Sequence, residues 1–362
     1  MRQSLTFNFL LFKVTLKPNL VDILWNMSHI FELQCPSWAA YMSRQVNNVL
    51  PISKVSMLPV INLPATDFNA LYSLLSFVVI QSEKLKLGMP CVTFDQQLYV
   101  KAYEIAASKK MKVFIRIDGF HQLMSFLGAI GTLMEGSGLK TALETVYASA
   151  SVNHMFSGKA ISRSLRGHMF AASSILSILL EEVWVELSDE EKTEIKLMYS
   201  SNMHNKNGDT DLEKKLILLF EKKQEKYMAK SRTAKLWLNY VHYIFIVQEF
   251  IRAERTSNWN LHIATTKCML KLLASTGHNN YTKSLRLYLQ SVDELACTHP
   301  EVYKQFLNGE HTVRRTSKSW SGIWTDLSIE QILIKSLKGK GGVVGRGITE
   351  NVLHVWTSTM HR

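Results

Sequence analysis

Residues 91–124 read CVTFDQQLYVKAYEIAASKKMKVFIRIDGFHQLM, and this stretch decides the fold class. The short apolar runs at 91–94 and 112–117 are rich in valine, isoleucine and threonine, which predicts two β-strands. Between them, apolar residues recur with helical spacing and predict a helix over 97–109. A strand, a helix and a strand in succession form a right-handed crossover, so the sequence predicts a parallel strand pair in an α/β layer.

The pattern extends outward from this stretch in both directions. Thr66 and Asp67 are helix-capping residues that precede a helical apolar pattern, which predicts a helix over 66–86. A third helix is predicted to begin near Gly119 and to continue to about Met134. Beyond Gly136 the sequence is nearly all helical in pattern until residue 308.

We therefore expect a helix-dominated chain with a partial ribonuclease-H-like α/β core and a large all-helical insertion. The predicted divisions are a poorly defined N-terminal segment (1–60), an α/β core segment (61–135), a helical region (136–308), and a basic loop, helix and glycine-rich tail (309–362) that returns to the core. A length of 362 residues suits about two domains of this kind.

The charge of the chain favours an anionic partner. It contains 42 Lys and Arg against 30 Asp and Glu, a formal charge of +12, which favours DNA or RNA over an anionic membrane surface. The longest apolar run, at 68–80, is shorter than a membrane span, and the N-terminal sequence MRQSLTFNFLLFKV is interrupted by polar residues. We expect a protein of the nucleus or cytoplasm with no membrane partner.

Several common sites are excluded by the sequence itself. The four cysteines show no CxxC spacing, which argues against a zinc ribbon and a disulfide framework. The sequence also contains no GxxxxGK[ST], GxSxG or HExxH motif, so it gives no P-loop, serine-hydrolase or zinc-protease signature.

Two aspartates and a histidine are the leading candidates for chemistry. Asp95 follows the first predicted strand, Asp118 follows the second, and His121 lies three residues further on. Neighbouring strands lie about 4.8 Å apart, so the two carboxylates can share a divalent cation such as Mg²⁺ or Mn²⁺. We expect Asp95, Asp118 and His121 to be metal ligands. The competing interpretation is that each aspartate caps the helix that follows it.

A further acidic ligand is expected from the second half of the chain. Glu254 lies between Arg252 and Arg255, which is also typical of a structural ion pair. Glu330 follows Asp326 by four residues on one predicted helix, a pattern that helix stability alone explains. We expect Asp95 with Glu330 or Glu254 to form a catalytic group, Glu330 being slightly favoured.

The C-terminal region concentrates positive charge in two loops. Residues 311–362 contain eight Lys and Arg against three Asp and Glu. Exposed cations and backbone N–H groups in such loops suit phosphate backbones, although a solvated tail has the same composition. The expected nucleic-acid-binding residues are Arg314, Arg315, Lys318, Lys338, Lys340 and Arg346.

An ordered series of motifs resembles an uncharacterised, multi-copy protein family of animal genomes that is associated with mobile elements. The resemblance covers residues 58–350 and is carried by VTFDQQLYVKAYEIA, DGFHQLMSFLGAIG, MEGSGL, SGKAISRSLRGH, AERTSNW, GHNNYTKS and TDLSIEQILIKSLK.

A weaker resemblance is to Mutator-like transposases, which have a ribonuclease-H-like core. Asp95, a helix, a strand and His121 follow the family's order, with 26 residues between Asp95 and His121. The family more often has glycine where this chain has Asp118, and Asn62 stands at the end of a candidate first strand where the family has an aspartate. The resemblance therefore implies a transposase-like protein whose acidic set is incomplete.

Two functions follow as hypotheses. The first is a transposase-like nucleic-acid-binding protein, a decayed or domesticated copy, whose chemistry would be metal-dependent phosphodiester cleavage or transfer. The alternative is a helical interaction protein without catalysis. The position of Asp95 relative to Glu254 or Glu330 distinguishes the two hypotheses.

Overall fold

The computed structural model describes residues 16, 19–31, 35–47, 49–55, 63–201 and 210–329. The chain divides into two compact units. The first unit comprises Met1–Val49, Met124–Thr256 and Asn260–Gly277, and the second comprises Leu50–Leu123, Ser257–Trp259 and His278–Arg362.

Helices dominate the described residues, as the sequence predicts. In chain order the elements are α1 (Leu20–Met27), α2 (Trp38–Arg44), α3 (Phe68–Lys84), β1 (Cys91–Phe94), α4 (Gln96–Ser108), β2 (Phe114–Ile117), α5 (Gly119–Leu133), α6 (Leu139–Glu144), α7 (Ser149–Phe156), α8 (Ile161–Val185), α9 (Asp189–Ser201), α10 (Asp211–Lys230), α11 (Arg232–Thr256), α12 (Trp259–Ser275), α13 (Asn279–Thr298), α14 (Pro300–Leu307), β3 (Val313–Arg314), β4 (Gly322–Ile323) and α15 (Thr325–Ile329).

The second unit is built on the strand–helix–strand segment. Strands β1 and β2 are parallel, with Cys91 opposite Phe114 and Phe94 opposite Ile117, and helix α4 connects them. Every residue of β2 is buried, because α4 and α13 pack against this strand. The predicted parallel pair and its connecting helix are therefore confirmed.

A second, antiparallel pair leads into the last described helix. Strand β3 pairs with β4, with Val313 opposite Ile323 and Arg314 opposite Gly322. Helix α15 follows β4 directly and packs against β1. This packing places 325–329 beside the parallel strands, whereas the rest of the helix predicted over 326–338 lies outside the described residues.

The first unit is a helical assembly in which α8 packs against α1, α10 and α11. A buried polar network holds α1 to α11. The Asp22 carboxylate accepts hydrogen bonds of 2.7 Å from the Trp38 indole N–H and from the Arg252 guanidinium, which also pairs with Glu249. Because both Asp22 and Arg252 are largely withdrawn from water, removing one partner would leave a buried charge unpaired.

Within the described residues, one helix, α8, is long and apolar enough to cross a membrane by length and composition. Ser164, His168 and several leucines of α8 are buried inside the first unit. The core helix of a protein that does not cross a membrane can have the same length and apolar composition as a membrane span. The length and composition of α8 are therefore weak evidence for membrane insertion.

The units group the chain differently from the division predicted from sequence. The predicted helical region, 136–308, is shared between them, because α13 and α14 belong with the parallel strands in the second unit. Helix α5 begins in the second unit and ends in the first. Local patterns cannot show this grouping, since α12 and α13 are both ordinary amphipathic helices and differ only in what they pack against.

The stability of the first unit should depend on the protonation of His168. The ring is buried, and burial lowers the pKa of His168 from about 6.5 to about 4. The pKa of His168 is lower in the folded chain than in the unfolded chain. The neutral ring is therefore buried without penalty above pH 6.5, and stability is lost as the pH falls toward 4. We expect a loss of about 2–3 kcal/mol between pH 7 and pH 4.5, measured by urea unfolding.

Replacing His168 with Gln should remove this part of the pH dependence while lowering stability at pH 7. Gln keeps polar atoms near Tyr240, whose hydroxyl lies 3.0 Å from Nδ1 of His168, but it does not titrate. His154→Gln, at an exposed position of α7, is the matched control. An equal change in pH dependence in both variants would contradict the assignment to His168.

Candidate metal centre

Asp118 is the central residue of the candidate site. Its backbone N–H donates to the Phe94 carbonyl at 2.8 Å, which extends the parallel pair by one residue. Its side chain turns back over the start of α5, where Oδ1 accepts from the Phe120 N–H at 2.8 Å and Oδ2 accepts from the His121 N–H at 3.1 Å. Asp118 therefore caps α5 and presents a buried carboxylate at the carboxyl end of a parallel strand, where ligands of α/β proteins bind.

Two further side chains meet this carboxylate. His121 Nδ1 contacts Oδ2 of Asp118 and lies 3.4 Å from Oδ2 of Asp326, at the start of α15. One donor atom from each of the three residues lies within 4.8 Å of the other two. The His121 side chain is 35% exposed, whereas Asp118 and both carboxylate oxygens of Asp326 are buried, so solvent reaches the cluster at the His121 ring.

Asp326 is brought to the strand end by contacts that involve distant parts of the sequence. The Arg116 side chain, buried on β2, donates to the carbonyl of His311, just before β3. After β4, the Trp324 ring lies 5.9 Å from the Phe120 ring. These two contacts hold the β3–β4 hairpin at both ends and place the first turn of α15 beside Asp118.

The charges in the cluster are strongly coupled. Burial raises the pKa of Asp118, but hydrogen bonds from His121 and Asp326 outweigh it and leave the pKa below its usual range. Hydrogen bonds with Asp118 and Asp326 raise the pKa of His121 to about 10. Burial, opposed by His121, raises the pKa of Asp326 to about 8. The shared protons of His121, Asp118 and Asp326 thus favour a protonated imidazole between the two carboxyl groups.

Tyr281 of α13 also belongs to this environment. Burial, followed by the charges of Asp118, Asp95 and Asp326, raises the pKa of its hydroxyl above the usual value. The hydroxyl therefore stays protonated at neutral pH.

The three side chains fit a divalent cation. Ligands about 2.1 Å from one ion lie roughly 3–4 Å apart, so the observed 4.8 Å limit requires only small side-chain movements. Two carboxylate oxygens and one imidazole nitrogen suit Mn²⁺ or Zn²⁺ well, and the carboxylates alone suit Mg²⁺. Three protein ligands leave coordination positions for water or substrate.

Asp95 is placed differently from the other predicted ligands. Its Oδ1 accepts a hydrogen bond from the Leu98 N–H at 2.9 Å and caps α4. This agrees with the competing interpretation of Asp95 as a helix cap. It is exposed and is not part of the Asp118–His121–Asp326 group, although its charge acts on Tyr281.

Glu254, one of the two predicted catalytic glutamates, is not part of the Asp118–His121–Asp326 group. Glu254 lies in the first unit, where Oε1 is 2.6 Å from Nδ1 of His262, and both side chains are 1% exposed. This pair accounts for the burial of the Glu254 carboxylate. Glu330 lies outside the described residues.

The predicted nucleic-acid-binding residues divide into buried and exposed positions. Arg314 is buried, and its guanidinium donates to Ser257 Oγ at 3.0 Å and to the Lys318 carbonyl at 2.9 Å, so it stabilises the β3–β4 hairpin. Arg315 and Lys318 are exposed on the same loop. Lys338, Lys340 and Arg346 lie outside the described residues.

Sequence reasoning identified Asp118 and His121 but missed Asp326 as their partner. Its position at a helix start, together with the four-residue spacing to Glu330, suggested only helix stabilisation. Tyr281, in the GHNNYTKS motif, was not singled out. No local signal links either residue to Asp118, because the connection is made by the hairpin and by the packing of α13 against β2.

Comparison with known proteins assigns a family. A family model described as "Domain of unknown function (DUF8702)" matches residues 37–362. The chain belongs to this family. The match spans Asp118, His121 and Asp326, and its description names no activity. No curated protein and no solved structure matches the chain.

Substitution of the cluster should weaken metal binding selectively. We expect Asp118→Asn and Asp326→Asn each to lower the affinity for Mn²⁺ by at least about tenfold in isothermal titration, because each removes an anionic ligand. Asparagine keeps an oxygen that can cap α5, so the Asp118 variant should remain folded.

The matched control is Asp95→Asn, which changes an exposed carboxylate of the same unit. The affinity of this variant for Mn²⁺ should be within about twofold of that of the original chain. Unchanged affinity in the Asp118 and Asp326 variants, or an equal loss in the Asp95 variant, would contradict the assignment of the centre.

Proposed function

We propose that the chain is a transposase-like, nucleic-acid-binding protein in which Asp118, His121 and Asp326 hold a divalent metal for phosphodiester chemistry. The observation that carries this proposal is the Asp118–His121–Asp326 cluster at the carboxyl end of a buried parallel strand. Mg²⁺ or Mn²⁺ is the proposed cofactor, and a bound ion would polarise a phosphate oxygen and stabilise developing negative charge.

The surrounding residues suit this role. The buried Asp118 carboxylate is fixed by two backbone N–H groups, so it needs little reorganisation when it binds a cation. The His121 side chain is 35% exposed while both Asp326 carboxylate oxygens are buried, so a phosphate would approach the cluster at the His121 ring. The charges of Asp118, Asp95 and Asp326 act on the Tyr281 hydroxyl, whose pKa they and burial raise.

The parallel strands, their connecting helix and the acids at the strand end support a partial ribonuclease-H-like core as a further part of the proposal. Such a core places metal-binding carboxylates at the ends of neighbouring strands and on a helix that packs beside them. In this chain, Asp118 and Asp326 occupy positions of those two kinds. We propose that the chain is a decayed or domesticated mobile-element protein that acts in the nucleus or cytoplasm.

The alternative, a helical interaction protein without catalysis, is favoured by one feature of the same cluster. A protonated His121 can hold Asp118 and Asp326 together as a bridge between β2 and α15. In that case the cluster stabilises the second unit and no metal is needed. Metal binding and catalysis therefore have to be measured separately.

The catalytic proposal predicts Mn²⁺-dependent nicking or strand transfer on plasmid or oligonucleotide DNA. Activity should fall at least about 100-fold in Asp118→Asn, because metal-assisted charge stabilisation is worth several kcal/mol. Asp95→Asn should keep most of the activity, since Asp95 is a helix cap. Metal binding without activity in the original chain would favour the non-catalytic alternative.

The nucleic-acid proposal predicts weak, salt-sensitive binding without strong sequence preference. The charge of +12 and the exposed Arg315 and Lys318 motivate it. On duplex DNA, the logarithm of the association constant should fall with the logarithm of salt concentration, with a slope of about −0.9 per phosphate contact. Absence of binding at low salt, measured by fluorescence anisotropy with labelled DNA, would contradict this part of the proposal.

A further inference from the structure

We propose that an aromatic and basic surface on α3 and α4 binds single-stranded nucleic acid. The surface consists of Phe68 and Tyr72 on α3 and of Lys101 and Lys109 on α4, all in the second unit, and is called the α3–α4 surface below. This inference rests on the proposed nucleic-acid-binding function and names where and in what form the nucleic acid is bound.

The two aromatic rings lie on one exposed side of α3. Phe68 and Tyr72 are one helical turn apart, so they lie on the same side of α3. They are 49% and 44% exposed, while Leu71 and Leu75 of the same helix are buried. The rings therefore contribute to a surface more than to the core, and each presents π area to solvent.

A lysine ammonium lies over each ring. Lys101 Nζ is 5.2 Å from the centroid of the Phe68 ring, and Lys109 Nζ is 5.8 Å from that of Tyr72. Lys101 Nζ also donates to the Thr66 carbonyl at 2.9 Å, which fixes its position. Among the described residues, neither lysine forms an ion pair with a carboxylate, so their charge is available to a phosphate.

The nearby charges leave the surface basic at one end. Lys110 and Lys112 are exposed just after α4, next to Lys109 in sequence. The acidic residues on the two helices are Glu83 of α3 and Glu104 of α4, both exposed, and Asp67 and Asp95 cap the starts of α3 and α4. Two further cations beside Lys109, with no acid among them, favour an anionic ligand at the Tyr72 end.

Other lysine–aromatic contacts of the chain have a different electrostatic setting. In the first unit, Lys192 and Lys196 lie over the Trp184 ring, and Lys192 also pairs with Asp189 at 3.4 Å. Lys223 of α10 pairs with Glu182 of α8 and with Glu186 just after α8, and Lys226 and Lys230 of α10 lie over the Tyr227 ring. Carboxylates therefore lie among these lysines, which is typical of a solvated helix surface.

Single-stranded nucleic acid matches the α3–α4 surface better than a duplex does. Its unpaired bases can stack on exposed aromatic rings while its phosphates meet lysines, a combination that binds without sequence preference. A duplex hides the faces of its bases and would use only the lysines. The exposed rings are therefore the feature that distinguishes a strand from a duplex as the ligand.

The position of the surface on α4 relates it to the candidate metal centre within the second unit. Helix α4 starts after Asp95, at the end of β1, and the backbone of Asp118 is hydrogen-bonded to that same strand end. Lys101 follows Asp95 by six residues and Lys109 by fourteen, or roughly 9 and 21 Å along the helix axis. A strand bound to the α3–α4 surface would thus run along α4 away from the end of β1, to which the backbone of Asp118 is hydrogen-bonded.

The experiment is fluorescence anisotropy of the full-length chain with a labelled oligo-dT of about 15 nucleotides, in EDTA, at four salt concentrations. The double variant Phe68→Leu/Tyr72→Leu should weaken binding at least fivefold at every salt concentration with an unchanged salt slope, because it removes stacking but no charge. The double variant Lys101→Gln/Lys109→Gln should reduce the slope by about 1.4, since each phosphate contact on a single strand contributes about 0.7.

Two matched controls use the same chain. Phe77→Leu changes an aromatic side chain of α3 that is also 44% exposed, and it has no lysine over its ring among the described residues. Lys192→Gln/Lys196→Gln removes two cations that contact an aromatic ring in the first unit. The affinity of both controls for oligo-dT should be within about twofold of that of the original chain. Circular dichroism and thermal unfolding should show that all variants are folded.

The outcomes separate this inference from the function on which it rests. Oligo-dT binding that is unchanged in both α3–α4 double variants, or equally reduced in the controls, would overturn the inference and leave nucleic-acid binding intact. No oligonucleotide binding at any salt concentration would overturn both. Binding to vesicles containing phosphatidylserine through these four residues, with no oligo-dT binding, would identify an anionic lipid surface instead and overturn the proposal. EDTA removes divalent cations, so the result does not depend on whether the candidate metal centre binds a metal ion.

Discussion

The buried carboxylate of Asp118 is the group on which the candidate site depends. It ends β2, caps α5 and contacts His121, and through His121 it is linked to Asp326. An ionised carboxylate is costly to bury unless hydrogen bonds and positive charge surround it. Here two backbone N–H groups and an imidazole meet that requirement, so the position that stabilises the helix start is also prepared to hold a cation.

This arrangement depends in turn on how the C-terminal hairpin is anchored. Arg116 projects from β2 and donates to the carbonyl of His311, while Trp324 packs near Phe120. Arg314 stabilises the hairpin itself through Ser257 and the Lys318 carbonyl. Two of the arginines in this region therefore serve the architecture of the site, and the cations that remain exposed on the hairpin loop are Arg315 and Lys318.

The first unit uses buried charge for a different purpose. Asp22, Glu249 and Arg252 form a network with the Trp38 indole, and Glu254 pairs with His262. Such networks link helices that are distant in sequence, and they are expensive to disrupt because each partner would be left uncompensated. Glu254 resembled a catalytic acid in the sequence because polar residues surround it, but its partner is a histidine eight residues further along the chain.

The sequence by itself determined the local elements of this protein. The alternation of β-branched residues and the 3.6-residue period located β1, α4 and β2 to within two residues. These features depend on neighbours in sequence, since hydrogen bonding and side-chain direction within one helix or strand follow from a few adjacent residues. For the same reason Asp118 and His121, three residues apart at a strand end, could be recognised as a pair.

Only the tertiary structure decided which third residue joins that pair and which residues stay outside. Asp326 is separated from Asp118 by 208 residues and reaches it because the hairpin is anchored on β2 and α15 packs on β1. Asp95, like Asp118, follows a strand and precedes a helix, yet its carboxylate is exposed and caps α4, and among the described residues it is not one of the grouped ligands. The physical reason is that burial and long-range contact depend on the packing of whole elements, and no local spacing in the sequence records which distant element will cover a given side chain.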